Sequence, residues 1–198
     1  MASQVQIANL ALNIIGADPI LAFTDDNERA RAINLIYTDT RDAELRAHPW
    51  NFAIKRQALT KSTETPAFEF DNKYKLPSDH LRTLEFNYRE DDYQQEGEYI
   101  LTDADSAKLR YVARITNPVL FDPLFVQAFA ARLAINLAEP VAADTEKVNN
   151  AFARYDRAIA DARAVDAMEN PVPAWEVDTY LEARWGFQDR FRNIEDPD

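Results

Sequence analysis

The sequence predicts an α+β protein: an antiparallel bundle of about four helices, an inserted small antiparallel β lobe, and an extended aromatic-rich C-terminal arm. Three observations predict it. Apolar residues recur at spacings of three and four both before residue 54 and after residue 117. Between those stretches the spacing changes to two, the period of half-buried strands. Pro49 sits at the change: it forbids continuation of a helix and pushes His48 towards an extended conformation. The chain divides accordingly into residues 1–53 (two helices), 54–117 (β lobe), 118–169 (two helices) and 170–198 (arm).

The totals agree with a globular chain. At 198 residues with 46% hydrophobic and 28% charged residues, it can bury a real core. Zero cysteines exclude disulfides, thiolate metal sites and a cysteine nucleophile. Two histidines and three glycines argue against a histidine-rich metal site or a glycine-rich phosphate loop. No charge-free apolar run reaches the roughly 18–20 residues of a membrane span, and residues 1–16 lack the basic n-region of a signal peptide. The formal charge of -12 is opposite in sign to that of proteins that grip DNA.

In the first helix, residues 2–15, Val5, Ala8, Leu12 and Ile15 form the apolar stripe. Ser3 is its expected N-cap, and Gly16 with Pro19 its stop. Residues 18–23 form a connector whose apolar side chains plug the bundle. Thr24 or Asp25 is the expected cap of the second helix, with Ile33, Ile36, Tyr37, Thr40 and Ala43 as its buried face. Arg29, Arg31, Asp39, Arg41, Asp42 and Glu44 are expected outside. His48 reads as a C-terminal cap, and Trp50 and Phe52 as anchors on one face of an extended segment.

Residues 60–66 are a polar linker. Phe68, Phe70, Tyr74 and Leu76 follow near alternating spacing, then Leu84, Phe86 and Tyr88 alternate strictly. Tyr99, Ile100 and Leu101 and the run Leu109, Tyr111, Ala113 and Ile115 are the best hairpin candidate. About four or five short strands are expected between residues 54 and 116. Asp122-Pro123 opens the third helix as N-cap and first helical residue. Its buried side is Phe121, Leu124, Phe125, Ala128, Phe129, Leu133 and Asn136, and Pro140 limits it. The fourth helix, residues 143–168, carries a seam of Val148, Phe152, Tyr155, Ile159 and Ala162, with Asp166 among its solvated charges. After Asn170-Pro171-Val172-Pro173, the arm holds Trp175, Tyr180, Trp185, Phe187 and Phe191; these rings either fold back or anchor another subunit.

No constellation for catalysis stands out. There is no nucleophile elbow, no H-E-x-x-H, no P-loop and no C-x-x-C pair. His80 has no nucleophile linked to it, and a carboxylate pair such as Glu96 with Asp103 is a coincidence among 34 acidic residues. No enzymatic role and no cofactor are expected. Lys55, Arg56 and Lys61 form one basic cluster, and Lys108, Arg110 and Arg114 another on one strand face. That face could meet nucleic acid or acidic neighbours in an assembly.

Residues 41–53 (RDAELRAHPWNFA), followed by Arg56 and Leu59, resemble the tail tubular protein A family, the ring-forming head-to-tail adaptors of short-tailed bacteriophages. Tyr74-Lys75-Leu76-Pro77, the string DPLFVQAFAARLA from Asp122, and Phe152 with Tyr155 extend the resemblance through about residue 165. The resemblance implies a structural, non-catalytic protein of the virion head–tail junction, made in the host bacterial cytoplasm. It implies a ring of about twelve copies with heterologous interfaces, between the portal protein above and a tail nozzle resembling tail tubular protein B below. Genomic DNA would pass through without specific binding, past an acidic wall. Trp175, Tyr180, Trp185, Phe187 and Phe191 would then bind the portal, and Arg110, Arg114, Tyr93 and Tyr99 would face neighbouring subunits or the nozzle. The alternatives are a head-completion or stopper connector of a long-tailed phage and a virion-associated glycan hydrolase.

Overall fold

The computed structural model describes residues 2–89, 91–142 and 145–169. The fold is α+β, with helices α1 (Gln4–Ile14), α2 (Glu28–Ala47), α3 (Pro123–Leu137) and α4 (Thr145–Glu169). Between α2 and α3 lie strands β1 (Ile54–Ala58), β2 (Asn72–Lys75), β3 (His80–Phe86), β4 (Gln94–Glu96), β5 (Tyr99–Thr102) and β6 (Lys108–Ala113). The aromatics expected in the arm, from Trp175 to Phe191, lie outside the described residues.

Ser3 starts α1 as its residue type requires. Its hydroxyl accepts from the Gln6 amide while the Gln6 side chain accepts from the Ser3 amide, a reciprocal capping box. Gly16 stops the helix at φ +67, with Gly16 N–H donating to Asn13 and Ala17 N–H to Leu12. This paired arrangement takes up carbonyls that the helix end would otherwise leave open. The Asn9 side chain then holds both backbone groups of Ile20 at 2.9 Å, which seats Ile20 in the core.

The cap of α2 is Asn27, not Thr24 or Asp25. Asp25 is engaged earlier, accepting from the amides of Leu21 and Ala22. The buried face of α2 holds Ile33, Tyr37 and Thr40 as expected, but it widens past them. Arg41 and Glu44 are buried and Ala43 is exposed, because each charge finds a partner inside: Asp42 for Arg41, Tyr155 for Glu44. Helix α3 begins as expected, Asp122 accepting from the amides of Leu124 and Phe125 ahead of Pro123. It is buried on nearly every side, since α1, α2 and α4 all pack on it. The stretch Pro123–Val141 is long and apolar enough to cross a membrane by composition alone, and it is the centre of this bundle. Pro140 does not end the helix abruptly; the chain runs through a π turn over Ala138–Ala142.

On α4, the contact with α3 is made by Ala151, Ile159 and Ala162, with Tyr155 half-buried. Phe152, expected in the seam, is 44% exposed, because its neighbour Ala151 takes the inward position and consecutive helical residues do not share a face. Asp166, expected in solvent, accepts from the Asn51 amide at 2.9 Å and lies 3.2 Å from His48 Nε2.

The β lobe is two three-stranded antiparallel sheets, ordered β1-β6-β3 and β2-β5-β4. The expected hairpin of β5 with β6 does not form; β5 pairs β2 and β4, and β6 pairs β1 and β3. The hairpin present is β4 with β5, turning at Gly97 with φ +54. Phe68 and Phe70 lie in a loop before β2 rather than in a strand. Strand β3 ends at Phe86, and Tyr88 leaves the alternation because Asn87 and Tyr88 turn left-handed, at φ 40 and 56. One hydrophobic core runs from the bundle into the lobe. Arg114 donates to Asp42 of α2 at 2.7 Å, and Arg46 of α2 donates to the Leu81 carbonyl of β3.

Candidate functional site

The corner between bundle and lobe is built around Trp50. Its ring is 1% exposed and meets Phe125 edge-on at 5.1 Å, Phe52 at 6.3 Å and His48 at 4.6 Å. Its indole N–H donates to the Glu44 carbonyl at 3.0 Å, satisfying a group at the end of α2. Residues 51–53 form a 3₁₀ turn rather than an extended segment, yet Trp50 and Phe52 still share one aromatic cluster. His48 occupies the C-cap position, and its side chain reaches across to Asp166 of α4. Burial holds the His48 imidazole below its ordinary pKa despite the nearby Asp166 carboxylate.

Below this corner is a buried polar knot. The Glu44 carboxylate accepts from Tyr155 Oη, 3.1 Å from each oxygen, and lies 3.5 Å from Arg132 Nε. Burial raises the Glu44 pKa, opposed by the Tyr155 hydrogen bond and by Arg132. Tyr155 in turn is pushed up to about 12, by burial and then by the Glu44 charge.

On the solvent face of the first sheet lies an open groove of about 450 Å³. Register makes it basic. Arg56 stands directly opposite Arg110, which stands opposite Glu85, while Lys108 is opposite Ala58. Like charges placed directly opposite on neighbouring strands repel. Glu85 relieves this only in part, at 3.4 Å from Arg110 Nη1, and Arg110 Nε is buried with no partner among the described residues. Lys108 Nζ lies 5.9 Å from the ring centre of Tyr88, which is 70% exposed. Asn87 fixes that end of the groove, accepting from the Lys108 amide at 2.7 Å and donating to Asp91 and the Ser106 carbonyl. The groove can hold an anionic group, with three cations set against one carboxylate.

The two basic clusters read from sequence are thus regrouped. Arg56 joins Lys108 and Arg110, whereas Lys55 donates to Asp79 at 2.6 Å and Arg114 to Asp42. Of the four residues expected to face neighbours or the nozzle, Arg110 lines the groove and Arg114 braces lobe to bundle. Tyr93 packs tilted against Phe86 at 5.0 Å, and Tyr99 lies under Lys73 Nζ at 4.1 Å. Both tyrosines belong to the β4–β5 hairpin region, on a different sheet from Arg110. Glu85 and Tyr88 were not legible as site residues, since only the bulged pairing of β3 with β6 brings them to the basic face. Asp103 accepts from the Asp71 amide and holds a loop, and His80 Nε2 lies 3.0 Å from the Thr83 hydroxyl. No group of three or more potential metal ligands occurs among the described residues.

No protein-family model matches the chain, and no curated protein matches it.

Proposed function

We propose that this chain is a structural adaptor of a short-tailed phage virion, a subunit of the ring that joins the portal to the tail nozzle at the head–tail junction. One observation carries the reading. The string LRAHPWNFA, at the centre of the resemblance to the tail tubular protein A family, is the joint between bundle and lobe. There α2 stops, Trp50 seals the core, and the first sheet begins. A joint of this kind holds the lobe at a fixed attitude to the bundle, which suits a subunit that must meet different partners at its two ends.

The acidic balance of the chain supports a conduit that repels DNA phosphate and lets the genome pass. Ring closure asks for one heterologous contact repeated around the axis, of about 1,600 Å² or more per contact. The aromatic segment from Trp175 to Phe191 is proposed as the portal contact, where tryptophan and tyrosine serve as anchors.

The test is sedimentation and electron microscopy of the purified chain, mixed with portal rings encoded by the same genome. The expected result is cooperative addition of one complete ring, lost on deletion of residues 171–198 without loss of the folded monomer. A chain that leaves portal rings untouched would overturn the adaptor reading. Undiminished portal binding by the truncated chain would overturn the role given to its aromatics.

A further inference from the structure

We propose that the basic groove of one copy receives the acidic β4–β5 hairpin of a second copy, making a head-to-tail contact between lobes. The inference rests on reading the chain as a ring-forming subunit, and it names the surfaces that would close the ring.

Two exposed strand edges of opposite charge carry it. Strand β1 pairs only with β6 among the described residues, and Lys55 to Ala58 are exposed along it. It lies beside the groove with Arg56, Lys108 and Arg110. Strand β4 pairs only with β5 and is exposed at all three of its residues. Its surroundings, residues 91–98 (DDYQQEGE), hold Asp91, Asp92, Glu96 and Glu98 and no lysine or arginine. Every one of these eight residues is exposed. Unpaired edges of this kind are templates for another strand.

Charge then selects the pairing. Setting β1 against a second β1 brings Lys55 and Arg56 against their own copies, and β4 against β4 does the same with carboxylates. Only β1 of one copy with the hairpin of another places opposite charges together. Because the two patches differ and lie on different sheets of one lobe, each copy keeps one of each free after a single contact. Such a contact propagates from copy to copy, and it makes a ring when the rotation between copies closes. The hairpin also presents Tyr93, which is partly exposed, as an apolar anchor beside its carboxylates. Nucleic acid fits the groove less well. Glu85 stands inside it, and the chain carries -12 overall.

The experiment uses two full-length charge-reversed variants, Arg56→Glu with Lys108→Glu and Asp92→Lys with Glu96→Lys. All four side chains are exposed and enter no ion pair among the described residues. Sedimentation velocity across protein concentration, at about 20 mM and about 0.5 M salt, measures self-association without portal. Wild-type chain is expected to associate at low salt and to dissociate at high salt. Each variant alone should associate at least about a hundredfold more weakly. An equal mixture of the two should recover association, since every groove then finds a hairpin of opposite sign. Should a reversed variant melt well below wild type, Arg56→Gln with Lys108→Gln replaces it, with a smaller loss expected.

A monomeric wild type at every concentration and salt overturns the proposal, as does a mixture that fails to recover. Saturation of the groove by a single-stranded oligonucleotide that leaves wild-type self-association intact also overturns it. Since portal is absent throughout, a chain that associates in this way but ignores portal rings refutes the adaptor reading alone.

Discussion

Replacing Tyr155 with phenylalanine removes one hydroxyl from the polar knot under the corner and changes almost nothing else. The Glu44 side chain is 5% exposed, so the proton from Tyr155 is not readily replaced by bulk water. Arg132 lies 3.5 Å away and is itself 40% exposed, and Arg163 adds a further positive charge nearby. A hydrogen bond to a buried carboxylate contributes about 1.5–3 kcal/mol, and that is the expected loss at pH 8. For a chain of this length the loss corresponds to a drop of roughly 3–12 °C in melting temperature.

The pH dependence sharpens the test. Glu44 has a folded pKa above its ordinary value, so the folded chain holds its proton more tightly than the unfolded chain does. Its contribution to stability is complete below the ordinary carboxylate range and declines as pH climbs through the raised folded value. The Tyr155 hydroxyl opposes that decline, because it bonds best to the charged form. Tyr155→Phe should therefore cost less at pH 5 than at pH 8. Urea unfolding of wild type and variant at both values measures the difference. A loss equal at the two pH values, or one below about 0.5 kcal/mol at pH 8, would refute the role given to the knot.

Trp50→Ala should destabilise the chain by about 3–5 kcal/mol, read by urea denaturation, because the ring is fully enclosed and its N–H holds the end of α2. Asn87→Ala should cost about 2–4 kcal/mol, since the residue makes three side-chain hydrogen bonds and sits at φ 40; hydrogen exchange should show the Lys108 amide deprotected. Burial lowers the His48 pKa, so the unfolded chain binds more protons and stability falls as pH drops below about 6.5 towards the folded value. His48→Gln should flatten that slope between pH 7.5 and 5.5, measured from urea midpoints.

Helix starts and stops with local causes were legible from sequence. Ser3, Gly16 and the Asp122-Pro123 pair act within three or four residues of themselves, and each does what its chemistry dictates. Where several residues could do the same task, the sequence alone could not choose. Thr24, Asp25 and Asn27 are all able caps, and the choice fell to Asn27 because Asp25 closes the preceding loop. Helical periodicity also places charges outside by default. Glu44 is inside because Tyr155 waits 111 residues further along, a partner that no local pattern reveals. The strands suffered most, since β5 and β6 have the composition of a hairpin but better partners elsewhere. The basic groove follows from those pairings, so its residues were visible only as two separate clusters.

The corner matters for more than stability because it collects distant parts of the chain. Asp166, near the end of α4, binds the amide of Asn51 and approaches His48, while Trp50 beside them bonds the end of α2. Three residues after Asp166 comes Glu169, the last residue of α4. The segment proposed to reach the portal therefore departs from within one helical turn of the contact that locks bundle to lobe. From Asp166 the contacts run to His48 and Asn51, and β1 follows the 3₁₀ turn at Asn51 without an intervening loop. Strand β1 is one wall of the basic groove. If the proposed arm and groove contacts are coupled along this half-buried path, Asp166→Ala should weaken both portal binding and self-association by sedimentation; loss of one alone would refute the coupling.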